Sequence, residues 1–392
     1  MLNSIAFLVI LGLTLGGIFS KLRLPSLVGM ILAGIILGPH CANMLDGKLL
    51  GISEELRKIA LVVILLRAGL ALNLSELKRV GRPAVLLCFV PACFEIGAVV
   101  LLAPPLLGVT TIEAAIIGAV VAAVSPAVVV PRMLSLMERK IGTKQSIPQM
   151  IMAGASVDDV FVIVLFTSFC TLATGGEVSA MTLFNIPISI ALGALAGFVM
   201  GWVATTIFRL LSMRDTVKML IIISFAMLLV GAEAWLKGRV AMSGLLAVMA
   251  MGITILQLYP VLAKRISPKF NKLWVAAEVM LFVLVGATVD IGYAMEAGIA
   301  VVALILLALV LRMAGVWFSV SGSTLSAKER LFCAIAYTPK ATVQAAIGAL
   351  PLSMGLECGP IVLTVAVVAI IITAPLGALG IDLTHKKLLK NS

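Results

Sequence analysis

Two carboxylates stand side by side at Asp158 and Asp159 in the stretch ASVDDVFVIV, where every neighbour is small or apolar. Five more charges sit in comparable surroundings: Glu95, Arg67, Arg132, Arg312 and Lys340. A charge at mid-bilayer costs about 2.5 kcal/mol or more, so such residues are paired or functional. Neighbours on a helix leave its axis about 100° apart, so the two aspartates cannot serve one ligand: one can face a partner helix and the other a cavity. Lys340 is the only lysine deep within an apolar run, and the expectation is that it pairs with Asp158 while Asp159 stays open to water. Burial and a neighbouring negative charge both favour the protonated carboxyl, and an adjacent ammonium opposes it. A carboxylate in that setting holds a proton or a small cation, but not both, which is the chemistry of exchanging one for the other. Glu95 and Arg312, opposite in sign, read as a structural ion pair between helices. Arg67 and Arg132, near the ends of their runs, read as snorkelling side chains.

These charges are conspicuous because the rest of the chain is so apolar. Of 392 residues, 62% are hydrophobic and 12% charged, mean hydropathy is +1.20, and a soluble domain carries about 25% charged residues. The composition is that of a polytopic membrane protein. The net charge of +11 does not point to nucleic acid, because the basic residues lie in short turns between apolar runs and not along one polar face. Six cysteines without a CxxC pair argue against a disulfide framework or a zinc site. His40 and His385 fall near the ends of runs and read as solvated or interfacial. No cofactor is expected.

A helix needs about 20 apolar residues to cross the hydrocarbon core. Thirteen apolar runs qualify, roughly 2–20, 25–41, 55–72, 83–107, 111–136, 149–173, 186–211, 216–236, 240–259, 272–290, 295–320, 327–350 and 358–382. The first has no basic residue ahead of it, so a cleaved signal peptide is not expected; nor is a soluble regulatory domain after the last. Of the 29 Lys and Arg, 20 lie in the turns after odd-numbered runs and in the C-terminal tail and five on the opposite side, which predicts an external N-terminus and a cytoplasmic C-terminus.

The runs also repeat. Gly69 and Asn73 in the third correspond to Gly286 and Asp290 in the tenth at an offset of 217, and the same offset carries Glu95 onto Arg312. AVSPAVVVP (123–131) in the fifth run and AYTPKATVQ (336–344) in the twelfth share Ala, a hydroxyl residue and Pro at an offset of 213. Matching runs differ by seven in order and so cross in opposite directions, predicting two inverted six-helix repeats with the seventh helix as linker. Pro126, Pro131 and Pro339 remove backbone donors at corresponding places and are expected to break both helices. Paired broken helices crossing at membrane depth mark an ion or substrate site. The hydroxyls of Ser125 and Thr338 would add hard oxygen ligands beside the breaks, suited to Na+ or Li+.

Two rival chemistries fit less well. An intramembrane aspartyl protease needs two carboxylates facing each other across a peptide, which adjacent residues of one helix cannot provide, and the GxGD motif is absent. A sodium-coupled symporter of an organic anion would want a polar cavity, and the crossing segments offer little beyond Gln344. A channel is disfavoured because carboxylate and lysine set against each other suit occlusion.

LRLPSLVGMILAGIILGP (22–39), SVDDV (156–160), LLRAGLALN, VSPAVVVPRML and TPKATVQAAIG together resemble the monovalent cation:proton antiporters, in their paired-aspartate branch, and are most similar to the NHA-type sodium/proton antiporters. The resemblance spans nearly the whole chain. It implies an all-α, thirteen-helix inverted-repeat fold, a homodimer, and elevator-type movement of a core domain against a dimerisation domain. On that pattern residues 1–82 belong to the dimerisation side, 83–173 to the first half of the core, 174–215 to the linker helix, 216–294 to the scaffold and 295–385 to the second half of the core. Carried over, Asp159 is the carboxylate that binds Na+ or Li+ or carries H+, Asp158 its neighbour, Lys340 the lysine of the second crossing helix, and Glu95 with Arg312 the interhelical pair. Potassium-efflux relatives replace the first aspartate with Gln and add a nucleotide-binding domain, so gating of that kind is not expected. The partners implied are the transported ions and membrane lipid, in a bacterial inner membrane.

Overall fold

The computed structural model describes residues 1–22, 24–71, 81–174, 180–236 and 242–389, and every regular element among them is a helix. Asn73 lies outside the described residues, as do Arg23, Lys78, Arg79, Lys237, Arg239 and Lys390 among the basic residues counted above. In chain order the helices are α1 (Leu2–Lys21), α2 (Ser26–Leu37), α3 (Gly47–Gly51), α4 (Ser53–Ala71), α5 (Arg82–Leu87), α6 (Val90–Leu107), α7 (Thr111–Ala122), α8 (Pro126–Glu138) and α9 (Ile147–Ala173). There follow α10 (Ala180–Leu210), α11 (Asp215–Leu236), α12 (Gly244–Leu258), α13 (Pro260–Ala287), α14 (Ile291–Val320), α15 (Ala327–Ala336), α16 (Thr342–Ile347), α17 (Leu350–Ser353) and α18 (Gly359–Leu388). Among the described residues nine helical stretches are long and apolar enough to cross a bilayer, with shorter apolar helices between them. The chain is a multi-pass integral membrane protein.

Each apolar run coincides with a helix or with two helices in series, but the boundaries move where charge was taken to mean a turn. The run expected at 272–290 belongs to α13, which begins at Pro260 and takes Lys264, Arg265, Lys269 and Lys272 into its first turns. Arg265 pairs with Asp215 at 3.2 Å and Lys269 donates to Thr216 at 3.2 Å, so these cations are used by α11 and need no loop. A second correction concerns Pro131, expected to break the fifth run. It lies inside α8, which continues through it; the missing donor costs one hydrogen bond, and the actual break precedes Pro126, where proline is well tolerated as the first helical residue.

The chain divides into two compact units, one of Met1–Ser53, Asn73–Ala173 and Phe282–Ser392, the other of Glu54–Leu72 and Thr174–Leu281. The first unit holds both broken helices, the charged residues Glu95, Asp158, Asp159, Arg312 and Lys340, and an apolar cluster that includes Leu87, Val129, Ile151, Val316, Phe332 and Tyr337. In the second, α10 carries Gly193, Gly197 and Gly201 one turn apart, where side chains would meet Ser243, Ala247 and Thr254 of or beside α12. Small residues at that spacing let helices pack closely in a bilayer, where dispersion replaces the hydrophobic effect.

The same device joins α2 to the end of α13 within the first unit. A Cβ on Gly34 would run into the carbonyl oxygen of Val283, and one on Gly286 into that of Ile31. Gly34→Val is expected to destabilise the detergent-solubilised protein by about 1–3 kcal/mol, as overpacking does. Gly17→Val, at a position with open space around it, should leave thermal stability unchanged; a denaturation series on the two variants checks this.

Candidate ion-binding site

The site begins with carbonyls that lose their partners. In an unbroken helix the carbonyls of Val120, Val121 and Ala122 would accept from the amides of residues 124, 125 and 126. Pro126 has no N–H to give, and α7 ends at Ala122. The freed amides turn elsewhere: Val124 N–H donates to Asp158 Oδ2 at 2.9 Å, and Ser125 N–H to the carbonyl of Pro339 at 2.8 Å. That second bond links the two breaks, since Pro339 lies in the gap between α15 and α16. Pro339 likewise leaves the Ile335 carbonyl without its helical donor, and Thr338 Oγ1 takes its place at 2.8 Å.

Side chains cap the freed carbonyls. Arg312 Nη1 donates to Ala122, Lys340 Nζ to Val121 at 2.5 Å, and Gln344 Nε2 to Val120 at 3.1 Å and Ala123 at 2.9 Å. The negative end of a half-helix dipole thus receives two cations and an amide, the groups it favours. Asp158, accepting from the first amide of the break, lies at the positive side.

Arg312, on α14 and wholly buried, organises the centre. Nη1 lies 3.0 Å from Glu95 Oε2, Nη2 lies 2.8 Å from Asp158 Oδ2, and Nε donates to the Tyr337 carbonyl at 2.8 Å. Its guanidinium also covers the Tyr337 ring at 5.7 Å. Lys340 Nζ lies 2.7 Å from Glu95 Oε1. One sequence expectation is corrected here and another is extended. Asp158 pairs with Arg312 and not with Lys340, because a planar five-donor fork can bridge two carboxylates from different helices whereas an ammonium is a single point charge. Lys340 instead falls to Glu95, so the Glu95–Arg312 pair forms as one side of a larger cluster. Arg132 reaches a partly exposed acid, its Nε lying 3.2 Å from Asp382 on α18. Arg67, in the second unit, stands within electrostatic reach of Glu278.

Asp159 is the exception. It is 8% exposed, its Oδ1 is buried without a hydrogen-bond partner, and no ion pair reaches it among the described residues. Ser125 Oγ is also buried and unpartnered. The cluster therefore sets three carboxylates, Glu95, Asp158 and Asp159, against two cations, Arg312 and Lys340. Sequence reasoning missed Tyr337 and Asp382, whose roles depend on contacts 25 and 250 residues away in the chain. Among the described residues no group of three or more His, Cys, Asp or Glu side chains is arranged to hold a metal ion, so a cation here would be met by carboxylate, hydroxyl and backbone oxygens.

The family model for the transmembrane sodium/hydrogen exchangers matches residues 5–386. The chain is 32% identical over 387 residues to sodium/hydrogen exchanger 9B2 of Mus musculus, covering 94% of this chain and 69% of that one. It is 31% identical over 390 residues to sodium/hydrogen exchanger 9B1 of Homo sapiens, covering 93% and 73%. The fold matches the sodium proton antiporter MjNhaP1 of Methanocaldococcus jannaschii with a TM-score of 0.85 at 21% identity, over 99% of this chain and 98% of that one. The expectation of a bacterial inner membrane draws no support from the animal relatives. On the extent of these matches the chain belongs to the transmembrane sodium/hydrogen exchanger family.

Proposed function

We propose that this protein is a secondary transporter that exchanges Na+ or Li+ for H+, with the two ions competing for Asp159. The observation that carries the reading is the contrast between the two aspartates: Asp158 is closed by Arg312 and the Val124 amide, while Asp159 beside it has no ion pair among the described residues and a buried Oδ1 without a hydrogen-bond partner. A buried carboxylate left ionised and unpaired is too costly to persist, so this one takes up a proton or a metal ion. Ser125 Oγ is the hydroxyl available beside the break. Lys340 serves the site from the second crossing segment, and Glu95 with Arg312 holds α6 to α14. The reading includes thirteen crossings in two inverted six-helix halves, an external N-terminus, a cytoplasmic C-terminus, a homodimer and an elevator-type movement of the body that carries Asp159. The hydrogen bond between the two breaks supports it, since crossing interrupted segments are the form such a site takes.

The charge balance also favours a stoichiometry. With Arg312 and Lys340 offsetting Glu95 and Asp158, the cluster is one positive charge short, and a single H+ or a single Na+ completes it. One-for-one exchange moves no net charge, so clamping the membrane potential of proteoliposomes with an ionophore should leave the rate of Na+-driven proton movement unchanged. In the same assay Asp159→Asn is expected to reduce exchange to that of empty liposomes while retaining native thermal stability; full activity in this variant would remove Asp159 from the mechanism. Competition further requires the apparent KM for Na+ to rise by about tenfold per pH unit on the acid side, because the ligand must lose its proton to bind metal. Arg312→Ala should behave oppositely to Asp159→Asn, losing about 3–5 kcal/mol of stability by stranding buried carboxylates, as thermal unfolding of the two proteins would show.

A further inference from the structure

Gln344 has no part in the competition just described, yet it is fully buried and reaches three backbone oxygens across the crossing. Its Nε2 lies 3.1 Å from the Val120 carbonyl, 3.5 Å from that of Val121 and 2.9 Å from that of Ala123. Only a donor fits against three carbonyls, so the amide has one orientation, and its Oε1 is left buried without a hydrogen-bond partner. An unpaired buried oxygen costs stability, so packing alone does not account for a glutamine here.

The Ala123 contact explains it. The carbonyl of Ala123 and the N–H of Val124 belong to one planar peptide unit and point in opposite directions. Gln344 holds the carbonyl at 2.9 Å and Asp158 Oδ2 accepts from the N–H at 2.9 Å. Rotation of that plane would release both at once. We propose that Gln344 is a positioning residue: through the Ala123–Val124 peptide it sets, from α16, where Asp158 stands, and with it the neighbouring Asp159 on the same helix. Being neutral, Gln344 caps the end of α7 without changing the charge count that leaves room for one ion, and without titrating during exchange.

The proposal rests on the reading of Asp159 as the ion carrier, and its test has one readout that does not. In reconstituted protein Gln344→Leu should raise the apparent KM for Na+ by about tenfold or more, the usual effect of removing a group that orients a metal ligand, with the maximal rate largely kept. Deuterium exchange of the backbone over residues 120–126 should quicken in the same variant. Gln344→Glu gives a second arm: protonated, its carboxyl retains one donor, but ionised it presents only acceptors to three carbonyls. That variant should resemble the native protein at acidic pH and lose Na+ affinity as pH rises, and it decides the matter if Gln344→Leu does not fold. A native KM in Gln344→Leu, a native pH profile in Gln344→Glu, or a raised KM with no faster exchange over 120–126 would each overturn the proposal. If the native protein moves no protons in response to Na+ or Li+, the functional reading fails instead, and deuterium exchange still decides whether Gln344 fixes the peptide.

Discussion

Arg312 is the side chain on which the rest of the first unit depends. A guanidinium deep in a bilayer protein has five donors and no way to lose its charge, so everything around it must accept hydrogen bonds or carry negative charge. Glu95, Asp158, Ala122 and Tyr337 answer that demand from α6, α9, the end of α7 and the gap after α15. Four segments far apart in sequence are thereby brought to one point. The interruption of α7 follows as a consequence and not as a defect, because an intact helix would have no carbonyl to offer.

The arrangement divides labour between two neighbouring acids. Had Lys340 paired with Asp158, Arg312 would have kept only Glu95 and the tie between α9 and α14 would be lost. With Lys340 on Glu95, the frame closes without Asp159. A site that takes up and releases ions has to be left out of the structural bonds that hold it in place, and adjacent residues on one helix, pointing about 100° apart, achieve this within a single turn.

Much of this was legible from the residues in order. Apolar length alone located the helices, and Pro126 and Pro339 located both interruptions, because proline removes a donor wherever it stands. Pro131 shows the limit of that rule: it removes a donor inside α8, yet the helix continues through it. Lys264, Arg265, Lys269 and Lys272 misled in the same way, since cations mark a turn only when no neighbouring helix supplies acceptors. The pairing of charges was not legible. The sequence shows that Asp158, Glu95, Arg312 and Lys340 lie within apolar runs, but that they form one cluster, and which cation meets which acid, is decided by reach and by the shape of the donor group. Gln344 gave a faint signal as a lone amide in TVQAAIG; its use of the Ala123 carbonyl needed the coordinates.

The distance along the chain between these partners has a consequence for biosynthesis. Glu95 and Asp158 enter the bilayer 217 and 154 residues ahead of Arg312, and Glu95 precedes Lys340 by 245. During translation the early segments therefore carry acids whose counter-ions have not yet been made, and those carboxyls are without their partners until α14 and Lys340 follow. The charge cluster can close only after synthesis has passed Lys340.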